Sequence, residues 1–152
     1  MRIEKDGFYA HQVMWNGWVD TDKFQTYIIG HWNYPKNTVK PIYVVSNGKN
    51  VELFLNGQSL GKGKREYNFL FTFDKVSYQP GKLEAVSYDK DGKEVSRYMI
   101  STVGEPAKLK LTTIQNPEGF HADGADMALI QVEVVDNTGT CCPLDNRTVQ
   151  FT

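Results

Sequence analysis

No apolar run in this chain approaches the ~20 residues that a helix needs to span a bilayer, which excludes a helical membrane span. Charge of one sign is missing too: 17 Lys and Arg stand against 18 Asp and Glu, a net charge of −1. That balance gives no electrostatic case for nucleic acid or an anionic membrane surface. One basic cluster exists, Lys62, Lys64 and Arg65, but Gly61 and Gly63 dilute it. It reads as a solvated hairpin end, because one short cluster cannot supply the many phosphate contacts that such binding uses. Cysteine is scarce. Cys141 and Cys142 are adjacent, and a bridge between neighbours is strained, so no disulfide framework is expected. They remain thiols or pair with other chains. The opening residues MRIEKDGFYAHQ lack the apolar core of a signal peptide, so this stretch reads as carrying no export address.

Signatures of chemistry are equally absent. No GxSxG, P-loop or Rossmann fingerprint occurs, and no cofactor is expected. His11, His31 and His121 lie far apart, without metal-ligand spacing to Cys, Asp or Glu. Asp123, Asp126 and Asp136 do not match a calcium loop, and Asp123-Gly124 reads better as a turn. Asn146-Arg147-Thr148 fits a glycosylation sequon, whose use depends on the host. A glycosidase needs two carboxyl groups about 5–10 Å apart across the sugar bond. Here the carboxylates lie on polar strand faces, as Glu52 and Glu133 do, or in turns.

What the chain does have is pattern. Near the start, Ala10, Val13, Met14 and Trp18 recur at helical spacing, with Phe8 and Trp15 widening the stripe. Asn16-Gly17 is a plausible stop, so the spacing predicts one aromatic-rich helix over roughly residues 5–16. From about residue 26 the period becomes two. Candidate strands are TYIIGHWN, KPIYVVSN, VELFLNG, FLFTFDKV, KLEAVSYD and KEVSRYMIST, divided by the turn signals Asn47-Gly48, Asn56-Gly57, Pro80-Gly81 and Asp91-Gly92. Short strands with no helices between them predict an antiparallel β-sandwich. Its core comes from Val51, Leu53 and Leu55 on one face of VELFLNG, and from Phe69, Phe71 and Phe73. Gly104 and Pro106 interrupt the pattern as a linker. Beyond them, KLKLTTI, ALIQVEVVD and TVQFT read as further strands. About 45 residues is a thin basis for an independent core.

Aromatic residues cluster at the junction of helix and first strand: Trp15, Trp18, Trp32 and Tyr34. Rings of this kind stack on sugar faces, or they fill an interface with another domain. The interface is the preferred reading. Phe54 is a lone aromatic on the otherwise polar face of VELFLNG.

The segments VMWNGWVD, GHWNYP, IYVVSNGKNVELFLNGQSLG, YQPGKLEAVSYDKDGKEVSR and GEPAKLKL, in this order, resemble the C-terminal region of β-galactosidase-type enzymes of glycoside hydrolase family 2. The resemblance covers essentially the whole chain. The tail HADGADMALIQVEVVDNTG also resembles the opening of bacterial immunoglobulin-like repeats, including those of adhesins. In the family, a (β/α)8 barrel carries the catalytic glutamates, and β-sandwich domains follow it. The resemblance therefore implies an all-β, immunoglobulin-like antiparallel sandwich over residues 26–104. One helix precedes it, over residues 1–25, as the remnant of the last barrel helix. A partial second immunoglobulin-like domain follows over 105–152. No position matches the family's catalytic motifs, so no catalytic residue is carried over. Asn56-Gly57 then marks a scaffold hairpin, and Phe54 is expected to pack on the barrel side or on the helix.

Three readings of function follow. The first is a non-catalytic accessory fragment of a glycosidase, whose partner is the upstream catalytic barrel of the same polypeptide. The second is a carbohydrate-binding module using Trp15, Trp18 and Trp32. The third is an adhesin-type repeat, which has no reason to carry a barrel helix. The unfinished second domain is expected either to be poorly ordered or to self-associate through its open strand edges. The parent is expected to be a periplasmic or secreted bacterial protein.

Overall fold

The computed structural model describes residues 4–121 and 124–151. Asp123, considered above for calcium and for a turn, lies outside the described residues. One helix, α1 (Asp6–Trp18), comes first. The strands follow as β1 (Thr26–Ile28), β2 (Val39–Ser46), β3 (Asn50–Leu55), β4 (Gln58–Lys62), β5 (Lys64–Arg65), β6 (Leu70–Ser77), β7 (Lys82–Tyr88), β8 (Glu94–Ser101), β9 (Lys108–Ile114) and β10 (Leu129–Val135). The chain forms two compact units that divide between Thr102 and Val103.

The first unit is an all-β antiparallel sandwich with α1 packed on it. One sheet has the order β1-β2-β6-β5 and the other β4-β3-β7-β8. Alternation decides what lies between them. Val51, Leu53 and Leu55 of β3, Phe71 and Phe73 of β6, Ile42 and Val44 of β2, and Leu83 and Ala85 of β7 meet in one buried cluster. The β3–β4 hairpin turns on Asn56 at φ 52° and Gly57 at φ 83°. Two residues at positive φ match the right-handed twist of the flanking strands. Asn56 serves twice: its Oδ1 accepts from the Lys82 amide at 2.8 Å, and its Nδ2 donates to the Pro80 carbonyl at 3.0 Å. The turn therefore also fixes the start of β7.

Two elements differ from the sequence pattern. β1 is only three residues long; beyond it the chain turns at Gly30, and Trp32 enters the core. The helix runs through Asn16-Gly17 instead of stopping there. A Cβ on Gly17 would stand 2.2 and 2.5 Å from two ring carbons of Phe69. The glycine allows a close approach of helix to sheet and is no stop signal. Next to it, Asn16 is buried and donates to Gln25 Oε1 at 2.9 Å.

Other contacts complete the hold on α1. Val13 is fully buried against Tyr27 and Val45. Tyr27 donates its hydroxyl to Asp6 Oδ1 at 2.6 Å, and its ring stacks on Tyr9 at 4.5 Å. Burial, with the Asp6 carboxylate adding to it, holds the Tyr27 phenol protonated well above its usual range. Only Val13 and Asn16 of the helix are buried. Of the predicted stripe of Ala10, Val13, Met14 and Trp18, Val13 is fully buried, Ala10 and Met14 are half-buried and Trp18 is exposed.

In the second unit, β9 and β10 pair antiparallel with Leu109 opposite Val134 and Leu111 opposite Val132. A single bridge, Val135 to Cys141, extends the pairing. TVQFT forms no strand over its described residues, 148–151. Asp136 organises the turn instead. Its carboxylate accepts from the amides of Gly104, Thr138 and Thr140 at 2.9 to 3.0 Å, and from the Thr138 hydroxyl at 2.6 Å. These donors, the Thr138 hydroxyl first, lower its pKa from 3.8 to about 2. Cys142 is buried and Cys141 exposed, and both thiols are free. Burial raises the pKa of each, which disfavours the reactive thiolate.

Two outcomes are expected. Gly17→Ala should lower the melting temperature of the first unit: overpacking costs about 1–3 kcal/mol, more than the ~1 kcal/mol gained in helix propensity. An unchanged or raised melting temperature would show that Phe69 yields freely. For Asp136, a depressed carboxyl pKa means that its contribution is complete above the unfolded value of 3.8 and is lost as pH falls through about 2. The amide resonances of Gly104, Thr138 and Thr140 should hold constant at neutral pH and titrate together near pH 2. A shared midpoint near 4 would contradict the arrangement.

Candidate functional site

The five residues singled out from the sequence separate into different environments. Trp32 is fully buried, its indole N–H donating to the Gln79 carbonyl at 3.0 Å. Its ring meets Tyr34 and Tyr78 edge-on at 6.1 and 5.1 Å. Removing a buried indole costs roughly 3–5 kcal/mol, so this is a core residue and not a sugar platform. Tyr34 is half-buried beside it. Lys40 Nζ sits 4.2 Å from the Tyr34 ring centroid and donates to its hydroxyl at 2.6 Å, while His31 stacks on the ring at 4.6 Å. Burial, and then Lys40, lower the His31 pKa and favour the neutral imidazole. Phe54 is half-buried on β3, level with Ser59 of β4 and Glu84 of β7, and joins neither apolar cluster.

Trp15 and Trp18 behave differently. Their side chains leave 59% and 65% of each residue exposed. Among the described residues no ring contact joins either to Trp32 or Tyr34. Trp18 meets Phe69 edge-on at 5.2 Å. With Ala10, Met14, Tyr67 and Leu70 it lines an apolar groove of about 580 Å3 between α1 and the segment leading into β6. Tyr67 is 73% exposed on the rim. Its part was not legible in the sequence, because it sits in the polar stretch REYN between strands. The groove exists because Gly17 and Val13 hold one side of α1 against the sheet and leave the Met14–Trp18 side uncovered. A large apolar surface of this kind on a packed helix marks an interface or a ligand groove.

Several carboxylates are paired with cations. Glu84 and Glu94 share Arg97 at 2.7 and 2.9 Å, Glu133 faces Lys110 at 3.4 Å, and Asp145 faces Arg147 at 2.8 Å. None of the three grooves described in this structure is lined by more than one carboxylate. Among the described residues no group of three or more His, Cys, Asp or Glu is placed to hold a metal ion.

A family model described as "Domain of unknown function (DUF4982)" matches residues 37–96. Over its whole length the chain is 42% identical to a β-glucuronidase of Formosa agariphila, and it spans 15% of that protein. It is 32% identical to a β-galactosidase of Bacteroides ovatus, over 97% of this chain and 17% of the relative. Among solved structures, a β-glucuronidase from glycoside hydrolase family 2 superposes with a TM-score of 0.86 at 43% identity, over 95% of this chain and 15% of that one. A family 2 member from Bacteroides cellulosilyticus gives 0.78 at 29% identity, over 91% and 20%. The relatives carry both enzyme names, so the likeness reaches the family and not one sugar. The chain is thus similar, nearly end to end, to a segment that makes up 15–20% of glycosidases that include members of glycoside hydrolase family 2.

Proposed function

We propose that this chain is a non-catalytic accessory segment of a family 2 glycosidase, lying C-terminal to the catalytic barrel, and that the uncovered face of α1 docks on that barrel. The observation that carries the reading is the match over the whole chain to relatives of which it spans only 15–17%. A helix with two indoles more than half exposed, packed on the sandwich through Val13, supports the docking. Aromatic anchors of this kind dominate interface energetics. The three grooves described are each lined by at most one carboxylate, which supports the absence of catalysis, since glycoside hydrolysis needs a pair. The hydrolysis of O-glycosidic bonds then belongs to the parent, and this segment buttresses the barrel and borders its substrate rim.

A second reading, carbohydrate binding by the segment itself, has one observation in its favour: the exposed Trp18 and Tyr67 on a shared groove. Trp32 takes no part in it, being buried.

The chain alone should release no nitrophenol from a panel of β-galactosides and β-glucuronides. Turnover that persists through purification and disappears on replacing one of its own glutamates would overturn the reading. Tryptophan emission should likewise stay constant on titration with neutral galactosides. A saturable change that is lost in Trp18→Ala, but kept in Trp15→Ala, would establish the carbohydrate-binding module instead.

A further inference from the structure

Two members of the basic cluster that reads in the sequence as a solvated hairpin end are joined in the fold by a lysine from another strand. Lys62 of β4, Lys64 of β5 and Lys75 of β6 line one groove of about 470 Å3, in which Asp74 is the single carboxylate. Such a volume suits a small ligand. Lys64 is paired with Glu66 at 3.4 Å. Lys62 and Lys75 have no ion-pair partner among the described residues. Ser77 and Gln79 add neutral hydrogen-bonding groups.

Lys75 is placed there by a backbone irregularity with a visible cause. Pro41 in β2 has no N–H to give the ladder. The register between β2 and β6 shifts at that point, leaving Asp74 and Lys75 between the pairs Ile42–Phe73 and Lys40–Val76. Bulges of this kind re-aim a side chain and recur beside functional sites. Lys75 takes φ 55°, a left-handed conformation strained for a residue with a Cβ. Glycine would relieve that strain, yet a lysine stands at the position. In the wall of the same groove, Thr72 keeps its hydroxyl buried and without a hydrogen-bond partner among the described residues. A buried unsatisfied oxygen is rare enough in native proteins to call for an explanation.

We infer that this groove binds an anionic saccharide, with Lys62, Lys64 and Lys75 receiving its carboxylate or sulfate groups and Ser77 and Gln79 its hydroxyls. The charge of the ligand follows from the lysines. Its being a saccharide and not an acidic peptide rests on the glycosidase context proposed above. The test is a titration of the full chain followed by amide resonances. Its arms are an oligogalacturonate, a sulfated dextran oligomer, a neutral dextran oligomer of equal length and an oligo-glutamate peptide.

The uronate or the sulfated oligomer should shift the resonances of residues 62–64 and 72–77, and added salt should weaken the effect. Which of the two binds identifies the anion. The neutral oligomer and the peptide should leave those resonances in place. Lys75→Gly should raise the melting temperature, because glycine adopts positive φ without strain. It should also weaken binding at least threefold, and Lys62→Gln combined with it tenfold or more. A stabilised Lys75→Gly variant with unchanged binding would show that the lysine only shields a free strand edge, and would overturn the proposal. So would the absence of shifts with both anionic oligomers at millimolar concentration, or equal shifts with the neutral one. Equal binding of oligo-glutamate would make this a protein-docking groove and remove the saccharide, while leaving the proposed accessory role and the docking of α1 untouched.

Discussion

A helix of 13 residues does not persist in water by itself, so everything α1 presents depends on how it is held. The decisive contact is the seating of the Gly17 backbone against the Phe69 ring, with Val13 buried beside Tyr27 and Val45. That approach sets the rotation of the helix about its own axis. Once Val13, Asn16 and Gly17 face the sheet, Trp15 is left exposed and Trp18 lies at the edge of the contact, its ring edge-on to Phe69 and most of the residue in the open. A polar tether holds the arrangement: Gln25 reaches Gln12 and Asn16 in the helix, while its amide is held by Asn47. The exposed indoles follow from the packing on the other side. They are not frayed ends.

The same requirement, that an apolar face be covered, is met differently along the chain. In the first unit the inner faces of two four-stranded sheets cover each other, and Trp32 closes the cluster with its one polar atom satisfied. In the second unit β9 and β10 have only each other as ladder partners among the described residues. Leu109, Leu111 and Ile130 are 48%, 64% and 61% exposed. Local order there comes from Asp136, whose carboxylate ties Gly104 to the turn at Thr138–Thr140. Hydrogen bonds to one charge thus supply what a thin core does not.

How far the sequence speaks depends on whether a residue's role is local. The alternation of Val51, Leu53 and Leu55 has a period that only a half-buried strand explains, and Asn56-Gly57 demands the two positive φ values found there. Both were legible, and so was the sandwich. Gly17 was misread as a helix stop, since its reason is the ring of Phe69, just before β6 and about fifty positions away. Trp32 and Trp18 looked alike in sequence, yet one fills a core and the other lines a groove. That difference is decided by the turn at Gly30, which no spacing rule reveals. TVQFT has the composition of a strand and forms none over its described residues, because pairing needs a partner as well as propensity. Lys75 joins Lys62 only through the bulge opposite Pro41.

The central claim is that the outward face of α1 is an interface with the rest of a family 2 glycosidase. Hydroxyl-radical footprinting of the three tryptophans tests it most directly, comparing this chain alone with the longer polypeptide proposed to contain it. In the chain alone, Trp15 and Trp18 should oxidise readily while Trp32 resists. In the longer polypeptide, Trp15 and Trp18 should become nearly as resistant as Trp32. Equal oxidation of Trp15 and Trp18 in both forms would contradict the account.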